Sequence, residues 1–281
     1  MPDAPRLDAR AIRALMLLIL LGLGVAALVL NLPSSSSATK ASGPLKGQPV
    51  PALFPDSRLG MVDTLVAPEQ ARARRDIVRY LQQFPGRNDA VFAQFALNEV
   101  GPPPSGAAQQ AELQVLHRID AGRTAAGIAA ATWLEAHGKH DIWKLYLKQY
   151  AQQATKPAGR RAKALLTASY LLANTIAKTG KTRFARPSPY ITDPTLHALN
   201  QQRFAKKFSY PAKHAVIAFA LAPLLAQLEP HRDGEYRWMR DEIVYSRMYA
   251  GGHYPSDIAA GAYLGTLIAG YERRVPLPAA G

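Results

Sequence analysis

Apolar residues recur along most of this chain at intervals of three and four, the spacing that turns one face of a helix toward a core. The pattern predicts helices over 67–83, 88–99, 107–120, 123–137, 141–153 and 158–178, with Pro68 in the first turn of the first, where its missing N–H costs nothing. The Gly-Pro-Pro-Pro-Ser-Gly run at 101–106 separates the second from the third. His214 to Leu228 is the most apolar of the later stretches; it is short and contains Pro223, so it reads as a core helix. A last apolar pattern runs from Ile258 to Tyr271. Strand-like alternation is scarce, and the expected fold class is all-α, a single helical-bundle domain over 56–275 with a short tail at 276–281.

The N-terminus has a different pattern. Arg6, Arg10 and Arg13 lie in a basic leader (1–13), and an unbroken apolar run follows from Ala14 to Leu30, extended by Asn31 and Leu32. Seventeen apolar residues are just long enough to span a bilayer and long for a signal-peptide core. Segment 14–32 is therefore read as a transmembrane anchor helix, with a signal peptide cleaved near Ser36-Ser37-Ala38 as the alternative. Arginines ahead of the run put the N-terminus in the cytoplasm. The domain is then expected on the periplasmic face of a bacterial inner membrane, or in the periplasm or secreted if the leader is removed. Residues 33–55, rich in Pro, Ser and Gly, read as a linker.

Composition narrows the chemistry. The chain has no cysteine, which excludes disulfides, thiolate metal sites and cysteine nucleophiles. Its formal net charge of +14 favours anionic partners. The basic residues are scattered without interleaved aromatics, so nucleic acid is not among the expected partners. Glu135, His137, His140 and Asp141 cluster at a predicted helix end. Histidine there has a plain electrostatic role against the helix dipole, which is preferred to a metal reading.

The chemically densest stretch is Ser246-Arg247-Met248-Tyr249-Ala250-Gly251-Gly252-His253-Tyr254-Pro255-Ser256-Asp257, of the form S-R-x5-H-x3-D. An arginine offers a planar fork of donors to phosphate oxygens. A histidine can act as nucleophile, with a nearby Asp fixing its tautomer and holding the positive charge that develops. Ser256 or Asp257 is expected to cap the final helix, leaving His253 in the turn before it.

This dodecapeptide resembles the third signature of the type-2 phosphatidic acid phosphatase (PAP2) superfamily, which also includes bacterial class A acid phosphatases and vanadium haloperoxidases. Upstream, Lys181 to Tyr190 resembles the first signature, K-x6-R-P, with Ser188 in place of the arginine when Lys181 is the anchor. An alternative register keeps Arg186-Pro187 and places the lysine, Lys178, one residue too far away. Ser209-Tyr210-Pro211-Ala212-Lys213-His214-Ala215 is similar to the second signature, S-Y-P-S-G-H-A, with Ala212 and Lys213 replacing serine and glycine.

The resemblance implies a phosphatase acting through a phosphohistidine, with no cofactor and no metal. His253 would be the nucleophile, Asp257 its orienting partner and His214 the general acid. Lys181 and Arg247 would clamp phosphoryl oxygens, with Lys213 or Arg186 making up for the lost arginine. The implied substrate is a phosphorylated small molecule or lipid, and an acidic optimum is expected. At most one span precedes the domain, so the architecture is expected to be closer to the class A acid phosphatases. Two altered clamp positions leave alternatives open: a weak or inactive phosphate-binding protein, or a vanadate-dependent haloperoxidase.

Overall fold

In the computed structural model, residues 49–199 and 208–274 are described. The expected leader, the anchor at 14–32, most of the linker and the tail at 276–281 lie outside the described residues. Those described form ten α-helices and no strand. In chain order they are α1 (Asp56–Gln83), α2 (Asp89–Glu99), α3 (Gly106–Ala121), α4 (Ala125–His137) and α5 (Asp141–Gln153). The long α6 (Lys156–Phe184), the single turn α7 (Pro189–Thr192), α8 (Lys213–Leu228), α9 (Asp233–Tyr249) and α10 (Pro255–Arg274) follow. None of these helices is long and apolar enough to cross a membrane.

The core is built around α8. Every residue from His214 to Ala222 is buried, so this helix is apolar on all sides and is enclosed by its neighbours α6, α9 and α10. Helix α10 approaches it most closely, because Gly261 and Gly265 present backbone where other residues would present a side chain. A Cβ on Gly265 would stand 2.6 Å from the Val216 carbonyl oxygen, and one on Gly261 would stand 2.5 Å from the Ala215 Cβ. These contacts bring the starts of α8 and α10 together, and with them His214 and Asp257. Gly180 does the same for the end of α6, where a Cβ would meet the Pro211 ring at 2.8 Å.

The helices differ in three places from those the sequence pattern predicts. Helix α1 begins at Asp56, so Pro68 lies inside it rather than in its first turn. Val62 and Val66 before the proline and Ala73 and Ile77 after it are all buried, and this continuous apolar stripe outweighs the lost backbone hydrogen bond. Helix α6 runs on to Phe184, which places Lys181 in its last turn. Helix α9 is not among the predicted helices. Its Arg240, Asp241, Glu242 and Arg247 break the apolar periodicity, yet all four are buried.

Glu242 is the most exposed to pH of these. It is fully buried and accepts one hydrogen bond, from the Phe54 N–H at 3.2 Å, while Oε1 has no partner among the described residues. Burial, reinforced by Asp56 and Asp241, pushes its pKa up to about 8. A carboxyl whose pKa is raised on folding stabilises the fold fully below its unfolded value, and that contribution is lost as pH rises toward the folded value. Stability is therefore expected to fall between about pH 4.5 and 8 by roughly 3–5 kcal/mol from this group. In Glu242→Gln, which keeps an acceptor for Phe54, that loss is expected to disappear, as read from chemical denaturation at pH 5 and pH 8.

Candidate active site

The third signature straddles two helices. Ser246 and Arg247 lie near the end of α9, and the chain then turns through Gly251, whose φ of +73° is a left-handed conformation suited to glycine. Helix α10 starts at Pro255, so Ser256 and Asp257 lie within its first turn rather than capping it. Asp257 reaches back from the first turn to accept the Tyr254 N–H at 2.9 Å, the return half of a capping box.

The same carboxylate oxygen, Asp257 Oδ2, lies 3.3 Å from His253 Nδ1. Its other oxygen, Oδ1, accepts from Arg186 Nη1 at 2.8 Å. Asp257 is fully buried, and burial alone would raise its pKa. The His253 contact, Arg186 and the Tyr254 N–H outweigh that and hold it below the ordinary carboxylate value. A hydrogen bond to this carboxylate places a proton on Nδ1 and leaves Nε2 as the imidazole lone pair. The pKa of His253 is lowered, chiefly by burial and then by the neighbouring charges of Lys181 and Arg247 against the opposing pull of Asp257.

His214 stands at the start of α8 with Nε2 3.4 Å from the Glu135 carbonyl oxygen. Burial drives its pKa well below the usual imidazole value, helped by the charges of Arg247, Lys139 and His253. The two histidines thus share one buried, cationic environment, which disfavours the protonated form of both.

The cations divide into two kinds. Arg247, almost fully buried, donates to Glu135 Oε2 at 2.7 Å and to Ser246 Oγ at 3.2 Å. Lys181 donates to the carbonyls of Phe208 and Ser209, the latter at 2.9 Å, and Lys213 donates to Asn174 Oδ1 at 3.2 Å. Arg186 donates to the Asp257 carboxylate and to further partners around it. Its Nη1 also reaches Ser256 Oγ at 2.7 Å, its Nη2 meets Glu112 Oε2 at 2.8 Å, and its guanidinium lies 3.6 Å from the Tyr254 ring centroid. It is 4% exposed and sits behind Asp257, in an ion-pair network that supports the carboxylate. Arg183, the other arginine of that segment, bonds Asn98 at the surface.

Glu112 is the member of this network that sequence reasoning missed. From α3 it accepts the Ser256 N–H at 2.6 Å, the Ser256 hydroxyl at 2.9 Å and Arg186, so it pins the first turn of α10 from outside all three signatures. Only its place one turn before Leu116 on an apolar-periodic helix was visible, and nothing in that spacing marks it. The acidic-histidine cluster also resolves: Asp141 takes contacts from His137 at 2.8 Å and His140 at 3.2 Å, while Glu135 turns to Arg247. Ala212 keeps its backbone role, donating its N–H to the Asp257 carbonyl at 2.9 Å, without the hydroxyl a serine would add.

Comparison with known proteins adds an independent line. Residues 162–277 match the family model described as the PAP2 superfamily. A non-specific acid phosphatase of Salmonella typhi is 30% identical over 91 residues, 32% of this chain and 36% of that protein. A bacitracin transport permease protein of Bacillus licheniformis is 27% identical over 103 residues, 36% of this chain and 49% of that protein. The chain thus spans between about a third and a half of the length of these relatives. Among solved structures, a transmembrane PAP2-type phosphatidylglycerolphosphate phosphatase from Bacillus subtilis aligns with a TM-score of 0.47 at 16% identity, over 66% of this chain and 92% of that one.

Proposed function

With residues 162–277 matching the PAP2 superfamily, we propose that this chain is a phosphatase that hydrolyses phosphate esters through a phosphohistidine on His253. The observation that carries the reading is the run of contacts from Glu112 through the buried Arg186–Asp257 pair to His253 Nδ1. It fixes one tautomer and one orientation of an imidazole, which a nucleophile requires and a structural histidine does not.

In the first half-reaction His253 Nε2 attacks phosphorus, and the P–O bond to the leaving alkoxide breaks as the P–N bond forms. His214 gives its proton to that alkoxide, and Asp257 offsets the charge that develops on the His253 ring. Water then attacks phosphorus, its proton passes to His214, and the P–N bond breaks to release phosphate. Phosphoryl transfer depends chiefly on alignment and on positive charge around the equatorial oxygens. Lys181, Lys213 and Arg247 are the groups assigned to that task. Arg186 is assigned to positioning. The domain is proposed to lie on the outer face of a bacterial membrane behind the segment at 14–32, whose apolar run is long enough to span it.

His214 must be protonated to act as an acid, and its surroundings oppose that in the absence of substrate. A phosphoryl dianion supplies the missing counter-charge, so binding is expected to bring a proton with it. In the histidine-labelled chain, saturation with inorganic phosphate is expected to raise the His214 pKa, read from ring nitrogen shifts. An unchanged value would remove His214 from the site.

One observation favours a slower enzyme or a phosphate-binding protein: Arg247, the retained clamp arginine, is already paired with Glu135. Turnover of p-nitrophenyl phosphate by the full chain between pH 4 and 8 separates the two. Hydrolysis on the acidic side supports the phosphatase, whereas phosphate affinity without turnover supports the binding protein.

A further inference from the structure

A groove of about 390 Å³, lined by none of the candidate-site residues, is formed by α5 with its flanking His140, by α6 and by a single residue of α8, Leu221. Its surface is largely apolar, from Trp143, Leu147, Leu166 and Leu221, and Lys144, Lys148 and Lys163 also line it. All three lysines are exposed, and no carboxylate pairs with them among the described residues. The two helices that form it are biased the same way: from 141 to 178 the chain carries seven lysines and arginines against one acidic residue, Asp141, which is taken by His137 and His140. Leu171, on the same helix, is 56% exposed, more than any other large apolar side chain described.

Apolar surface ringed by cations selects for a ligand with both characters. A soluble anion would leave the apolar lining wet, and a neutral apolar molecule would make no use of the lysines. An anionic phospholipid meets both demands, with an acyl segment along Leu147, Leu166 and Leu221 and its phosphate among the lysines. The volume lies within the range of about 300–1,000 Å³ typical of small-ligand pockets. We propose that the α5–α6 groove is a docking site for anionic phospholipid, holding this face of the domain against an anionic leaflet. The site uses none of the residues assigned to catalysis and stands independently of that assignment.

The absence of cysteine makes a local test direct. Thr167→Cys in the full chain places a single bimane label on the groove. The chain is mixed with vesicles of phosphatidylglycerol or phosphatidylcholine carrying brominated acyl chains, and quenching of the label is followed against lipid concentration. Quenching is expected with phosphatidylglycerol and little with phosphatidylcholine. Lys144→Glu/Lys148→Glu is expected to raise the lipid needed by about tenfold or more. Lys144→Gln/Lys148→Gln should give an intermediate shift, and unchanged thermal melts confirm that both variants fold. No quenching, equal quenching by both lipids, or quenching indifferent to the lysines would each overturn the proposal, since the segment at 14–32 could bind vesicles without filling the groove. A label response to inorganic phosphate as large as that to phosphatidylglycerol would assign the lysines to a soluble anion and overturn it as well.

Discussion

His253→Gln is expected to remove phosphomonoester turnover, by about 10⁴-fold or more, while leaving the thermal melt close to that of the parent chain. Losing the nucleophile of a covalent mechanism costs this much because the remaining groups have no bond to make. Glutamine fits the same turn and can still donate to Asp257, so the buried carboxylate keeps a partner. The fold should tolerate the change because His253 contributes one 3.3 Å contact, whereas Asp257 also holds Arg186 and the Tyr254 N–H. Turnover by p-nitrophenyl phosphate release, beside a melt on the same sample, checks both halves. Phosphate affinity should survive, because the cations assigned to the clamp are untouched.

Arg186→Ala is expected to cost both stability and activity, and in a way that identifies its role. The arginine compensates a fully buried carboxylate, Asp257 at 0% side-chain exposure, and a partly buried one, Glu112 at 14%. Removing one partner from a buried ion pair costs about 3–5 kcal/mol. Without Arg186 the Asp257 pKa, now held below its ordinary value, rises. The sign follows directly: a carboxylate with a raised pKa takes up its proton at higher pH, so activity should fail at a higher pH on the acidic limb than in the parent. A loss of about 10²–10³ in kcat is expected, comparable to removal of one preorganised electrostatic group. Arg186→Lys should recover part of the stability and little of the orientation, because a point charge cannot hold Ser256, Asp257 and Glu112 together. A phosphate-clamping arginine would behave differently, raising KM with little change in melt or pH limb. Glu112→Gln should shift the same limb in the same direction by a smaller amount.

The parts of this fold legible in the sequence were those carried by periodicity or by local spacing. Helices α2 to α5 fall within a few residues of their predicted bounds because their buried positions, such as Phe92 and Leu97 or Leu113 and Leu116, are apolar and their flanks hold glycine, proline or capping side chains. Asn88 and Thr124 accept the N–H groups of Val91 and Gly127, as caps should. The His253–Asp257 contact was legible for a similar reason: a spacing of four around a helix start leaves few other geometries. What the sequence hid was pairing at a distance. Helix α9 looked polar because charges buried against partners elsewhere, such as Arg247 against Glu135, are indistinguishable in sequence from charges facing water. The pairing of Arg186 was hidden in the same way. Its neighbours in the chain suggest a phosphate clamp, and only the fold reveals its ion pairs with Glu112 from α3 and Asp257 from α10. Pro68 was read as a helix start because a single residue's cost is local, whereas the stripe that overrides it spans both halves of α1.

The central claim is the covalent one, and trapping the intermediate tests it most directly. The full chain is incubated briefly with p-nitrophenyl phosphate, quenched in alkali, where phosphohistidine persists and acyl phosphates do not, then digested and sequenced by mass spectrometry. The account predicts phosphate on His253, absent in His253→Gln and accumulating in His214→Ala when a good leaving group needs no acid. Turnover with the label on another residue, or turnover retained by His253→Gln, would contradict it.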